Sequence, residues 1–110
     1  SLPSIFTKAE EITPGMRNID ILARVRDIRG GKTKHYEKKT GSLSNLLIED
    51  ETGSIQLNLW GDKALLSDKL RPGDIILIER AYARDRFGRL LLNLDDGGSI
   101  TINPKIEEAT

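Results

Sequence analysis

The 110-residue chain contains no cysteine and a single histidine, so it cannot form a disulfide or assemble a zinc site from Cys and His ligands. That usage is compatible with an intracellular setting. Aromatics are scarce, with one Trp, two Tyr and two Phe, so the core must be built from Leu, Ile and Val. No apolar run approaches the roughly 18 residues of a membrane span, and no signal-peptide pattern is visible, which leaves a soluble domain without membrane partners as the expectation. Net charge of either sign is also missing, because 17 Lys+Arg balance 17 Asp+Glu. A binder relying on overall positive charge is excluded, and the distribution of charge becomes the question. The chain starts at Ser1 and its one methionine is Met16, the pattern of an excised domain or a processed start.

The length suits one folding unit. Residues 1–17 read as a lead-in packing on the rest of the domain, with a weak capping pair in Thr7 and Glu10, Phe6 as an apolar plug and a turn at Pro14-Gly15. From Asn18, Ile19, Ile21, Ala23 and Val25 alternate with Asp20, Leu22, Arg24 and Arg26, a half-buried strand. Residues 30–41, GGKTKHYEKKTG, show no apolar periodicity and are expected to form an exposed, mobile loop. A second strand, Leu43 to Glu49, and a third, Ser54 to Trp60, flank the tight turn Asp50-Glu51-Thr52-Gly53 and form a hairpin. In the third strand Ile55, Leu57 and Leu59 face one way, which leaves Gln56, Asn58 and Trp60 together on the polar side. Gly61 ends that strand, Asp62 is placed to cap a short helix running to Leu70, and Pro72-Gly73 stops it. Asp74 to Ala83 and Leu90 to Leu94 supply a fourth and a fifth strand joined by Arg84-Asp85-Arg86-Phe87-Gly88-Arg89. After the turn Asp95 to Gly98 comes a brief extension, Ser99 to Ile102, and residues 104–110 form a flexible acidic end beyond a domain spanning 18–103.

Five strands with one short helix between the third and fourth follow the order of an all-β OB-fold barrel. Another small barrel of SH3-like type is the alternative. In the OB arrangement the loops joining strands 1–2 and 4–5 flank one face, and both are basic. Arg29, Lys32, Lys34, Lys38 and Lys39 against Glu37 leave +4 in the first, and Arg84, Arg86 and Arg89 against Asp85 leave +2 in the second. A neutral domain can thus present a basic groove. Trp60, Tyr82 and Phe87 fall near the same surface, and cations that track phosphates beside rings that stack on bases are what single-stranded nucleic acid requires. Trp60 could instead cap one end of the core, and the phase of Tyr82 is ambiguous. Lys32, Lys34, Lys38, Lys39, Arg84, Arg86 and Arg89 are the candidate phosphate contacts, with Arg24 and Arg26 on the open sheet face. Gln56 and Asn58 are candidates for sugar or base edges, and Tyr36 either stacks or anchors its loop.

The runs LLIEDETGSIQLNLWGD, LRPGDIILIERAY and FGRLLLNL, with ITPGMRNIDILARV before them, resemble the single-stranded DNA-binding OB domains of archaeal replication protein A and the related archaeal single-stranded DNA-binding proteins. Eukaryotic single-OB sensors of single-stranded DNA are also similar. The resemblance covers about Ile12 to Ile102 and implies a non-enzymatic binding module for DNA replication, recombination and repair. By matching position it implies that Trp60, Tyr82 and Phe87 stack on bases. Tyr82 stands where relatives often carry tryptophan, and the first loop is unusually rich in lysine. Other OB domains or subunits of a replication protein A-like assembly are the implied protein partners. A module serving mainly protein association, with Leu22, Leu47, Leu77 and Leu91 as outward apolar residues, and an RNA-binding OB domain remain the alternatives.

Catalysis finds no support in the residues. Gly31-Lys32-Thr33 has the ending of a phosphate-binding loop, but the glycine that motif needs five residues earlier is Arg26. Glu49, Asp50 and Glu51 read as a solvated hairpin turn rather than metal ligands, and His35 has no partner for a triad or metal. No cofactor and no metal is expected.

Overall fold

The computed structural model describes the backbone of residues 5–36 and 39–105, and side chains over 5–29 and 42–105. Among these residues six strands carry the fold: β1 (Ile19–Tyr36), β2 (Lys39–Asp50), β3 (Gly53–Trp60), β4 (Ile75–Arg86), β5 (Arg89–Leu94) and β6 (Ser99–Ile102). They run in the order β1-β2-β3-β5-β4-β6, and a further β1–β4 pairing closes the first five into a ring. Among the described residues only the β3–β5 seam is parallel. The ring, with its helical segment between the third and fourth strands, is the expected OB barrel.

Alternation places the core. Ile19, Ile21 and Val25 of β1, Leu46 and Ile48 of β2, Leu57 and Leu59 of β3, Ile76 and Ile78 of β4, and Leu92 and Leu94 of β5 are all fully buried inside the ring. Each such side chain contributes roughly 1.5–3 kcal/mol relative to exposure. Within the ring, one face of each of these five strands is therefore committed to the interior, and the other is left for solvent or ligand.

Several expectations are corrected. The lysine-rich stretch is a continuation of strand, not an irregular loop. β1 and β2 pair in register from Gly31↔Ser44 out to Tyr36↔Lys39, because backbone hydrogen bonding along an antiparallel ribbon needs no apolar periodicity. The connection between the fourth and fifth strands shrinks to Phe87-Gly88, since Arg86 pairs with Arg89. The short helix is a 3₁₀ helix over Gly61–Lys69 whose N-cap position is Trp60, so Asp62 lies inside its first turn. The last extension is a true strand, β6, antiparallel to the first half of β4. In the lead-in, the capping carboxylate is Glu11, which accepts from the Lys8 N–H at 2.9 Å ahead of a 3₁₀ turn at Ala9–Glu11.

Two local devices hold the barrel's corners. Asp50 clamps the β2–β3 turn to the lead-in: Oδ1 accepts from the Thr52 N–H at 2.8 Å and the Thr52 hydroxyl at 2.6 Å, and Oδ2 accepts from the Ala9 N–H at 2.8 Å. Burial pushes the Asp50 carboxyl up, but these donors and the Gly53 N–H outweigh it and hold it below the usual carboxylate range. At Arg80, where β4 leaves β6 and its register with β1 shifts before it pairs with β5 from Tyr82 onward, the backbone is left-handed with φ +60°. Gly98 packs directly beneath this corner. A Cβ there would lie 2.5 Å from the Glu79 carbonyl oxygen and 2.9 Å from that of Arg80, besides striking Leu94.

Candidate nucleic-acid interface

The outward residues of β2, β3, β5 and β4 line up in rows across the sheet. One row is Leu47, Gln56, Leu91 and Arg84, and the next is Asn45, Asn58, Asn93 and Tyr82. Trp60 extends the same face beyond Asn58, opposite Leu43. Trp60 is thus half-buried on the outer surface and takes no part in the core. Its indole N–H donates to Asn93 Oδ1 at 2.9 Å, and Asn93 sits across from Tyr82. The two rings therefore share one surface with a hydrogen-bonded asparagine between them.

Arg84 lies over the Tyr82 ring with 5.3 Å from its guanidinium carbon to the centroid, so this platform is a ring and a flat cation together. Phe87 occupies the tip of the β4–β5 hairpin, 98% exposed, with Arg86 at 6.0 Å from its ring centroid. Phe87 and Gly88 have φ of +53° and +78°. Positive φ at both central residues defines a type I′ turn, in which Asn, Asp or Gly is preferred and a bulky ring is an outlier. The turn holds an aromatic ring in water at the cost of local strain, a pattern found at functional tips.

The cations divide into two groups. Arg84, Arg86 and Arg89 are exposed and, among the described residues, form no ion pair. Arg26 is linked to Glu49 at 3.8 Å, and Arg24 lines a groove with Glu49, Asp50 and Glu51, so these two belong to an acidic flank rather than to the aromatic face. The side chains of Lys32, Lys34, Tyr36, Lys38 and Lys39 lie outside the described residues, as does that of His35. Gln56 and Asn58 lie on the face as expected, with Gln56 Nε2 donating to Asn58 Oδ1 at 3.0 Å.

A scan against protein-family models matches residues 19–105 to the tRNA anti-codon family, an OB-fold nucleic acid binding domain. The chain belongs to this OB-fold nucleic acid binding family. This OB domain is 30% identical over 105 residues to the single-stranded DNA binding protein Ssb of Saccharolobus solfataricus, covering 94% of the chain and 64% of that protein. It is 31% identical over 107 residues to replication factor A of Methanothermobacter thermautotrophicus, covering 96% of the chain and 13% of that protein. It therefore spans less than two thirds of the length of these curated relatives. Among solved structures, the second OB-fold domain of replication protein A from Methanococcus maripaludis is similar at a TM-score of 0.76 and 27% identity, covering 94% of the chain and 100% of that domain.

Several residues of the OB domain's face escape sequence reasoning. Asn93 is 5% exposed and joins Trp60 to Asn58, the latter donating from Nδ2 at 3.4 Å. Its one sequence signal is the polar break in the apolar run LLLNL. Arg17 and Arg80, which line one groove with Tyr82, Arg84 and Asp95, come from a lead-in and a bend that carry no pattern. Leu91, expected to face outward, does so by register but is 8% exposed, covered by its neighbours on the face. It is not part of an exposed apolar patch.

Proposed function

We propose that this OB domain is a binding module, not an enzyme, that holds single-stranded DNA with little sequence preference. Bases stack on Trp60, Tyr82 and Phe87, while Arg84, Arg86, Arg89 and the ribbon lysines Lys32, Lys34, Lys38 and Lys39 meet phosphates. The observation that carries this reading is the shared face on which Trp60 and Tyr82 flank Asn93, beside arginines that no described carboxylate neutralises. Stacking contributes about 1–3 kcal/mol per base and tolerates any base, because every base has a π-face.

Similarity to a single-stranded DNA binding protein and to a replication factor A supports DNA replication inside the cell as the setting, and we extend this to recombination and repair. Other OB domains or subunits of a replication protein A-like assembly are then the protein partners. The test is quenching of the single tryptophan by oligo-dT at two salt concentrations. Quenching is expected, with affinity falling as salt rises. Substituting both Arg84 and Arg86 by Ala should flatten the log–log slope by roughly 0.7 for each phosphate that is no longer neutralised. An unquenched Trp60 together with a salt-independent affinity would sink the reading.

A further inference from the structure

We infer that Gln56, Arg29 and Arg89 form a nucleotide subsite that favours a base carrying an exocyclic amine. This inference rests on the single-strand-binding reading above. The site is a groove of about 330 Å³ where β3 meets β5, lined by Arg29, Leu47, Ser54, Gln56 and Arg89, and among the described residues no stacking ring lines it. Arg29 is exposed, with only a long 3.7 Å contact to Asp27, and Arg89 is exposed and has no ion pair among the described residues. Two guanidinium groups thus border a groove whose wall carries an amide.

The orientation of that amide is dictated from the far end of the face. An indole nitrogen can only donate, so Trp60 Nε1 at 2.9 Å fixes Asn93 with Oδ1 toward the ring. Reversing Asn93 would set two donors against each other at a buried position. Asn58 must then offer Nδ2 to the same Oδ1, at 3.4 Å, which leaves Asn58 Oδ1 to accept from Gln56 Nε2 at 3.0 Å. All donors point toward Asn93, and the acceptor left over by the chain is Gln56 Oε1. A carbonyl oxygen in this groove is matched by the N4 amine of cytosine or the N6 amine of adenine. Against the O4 of uracil or thymine it places acceptor against acceptor. One ring's N–H therefore sets the base preference of a subsite several residues away.

Oligo-dC and oligo-dU of equal length separate the cases, since both are pyrimidines and neither carries the thymine methyl. The intact domain is expected to bind oligo-dC about 3- to 10-fold more tightly, the range of one net hydrogen bond. Gln56→Leu should bring that ratio to about 1 by deleting the acceptor. Gln56→Glu keeps an acceptor and should keep the preference, though both oligomers bind more weakly through charge repulsion. Trp60→Phe keeps a ring but removes the N–H that orients the chain, and the ratio should fall although residue 60 is remote from the groove. The last two variants read the same ratio if Gln56→Leu does not fold. Equal affinities in the intact domain, or a ratio that survives both Gln56→Leu and Trp60→Phe, would overturn the subsite. If the intact domain binds neither oligomer, the single-strand-binding reading itself fails.

Discussion

Phe87→Asn should make the domain more stable and a poorer binder at the same time. Left-handed backbone costs a residue with a bulky Cβ substituent roughly 1–2 kcal/mol, and Phe87 sits there with φ +53° while 98% exposed, so packing returns almost nothing. The contact with the Arg86 guanidinium at 6.0 Å recovers only about 0.5–1 kcal/mol at an exposed site. Asn-Gly is the preferred pair for this turn, so the substitution should stabilise by about 0.5–1 kcal/mol, or roughly 2–5 °C in Tm for a domain of this size. If Phe87 stacks on a base as proposed, its loss should raise the Kd for single-stranded DNA by about 5- to 150-fold, the equivalent of about 1–3 kcal/mol. Thermal unfolding followed by circular dichroism reads the first effect, and fluorescence anisotropy of a labelled oligo-dT reads the second. A lower Tm would refute the strain argument. An unchanged Kd would remove Phe87 from the interface.

Two further outcomes test the frame that holds the face. Gly98→Ala should destabilise by about 1–3 kcal/mol, since its Cβ would press on the backbone carbonyls of Glu79 and Arg80, which cannot yield as a side chain would. The urea midpoint measures it, and a midpoint unmoved by the methyl group would contradict the packing described. Stability should also depend on acid through Asp50, and through Asp74, whose carboxyl is lowered first by the Asn103 side-chain amide and then by the Arg71 N–H. A carboxyl depressed in the folded state adds stability that is present above its unfolded pKa and is lost as pH falls through the folded one. Urea midpoints should therefore be level above about pH 5 and decline below about pH 4, and Asp50→Asn should lessen that decline.

Much of this molecule can be read along its chain because strand alternation is a local property. Ile55, Leu57 and Leu59 point inward and Gln56, Asn58 and Trp60 outward, and the Asp50–Gly53 turn lies where its residue types put it. The lysine-rich ribbon was illegible for a physical reason. Its residues carry no apolar period to mark a strand, although the backbone pairing of β1 with β2 continues through them. Asn93 illustrates the second limit. Its importance comes from lying beside Asn58 across the parallel seam, a neighbour 35 positions away. Arg17 and Arg80 reach Tyr82 only through the path of the lead-in and a left-handed bend.

The parallel β3–β5 seam has a consequence for the order of folding. Hairpins such as β1–β2 and β2–β3 join near neighbours in the chain, whereas β3–β5 and β1–β4 unite segments tens of residues apart, and such loops close late because their entropy must be overcome first. The pairings of Asn58 and Trp60 with Asn93 straddle that late seam. The three-stranded meander that forms from local contacts thus holds the tryptophan but not Asn93, the partner of its N–H, and the proposed binding surface is complete only when the ring shuts.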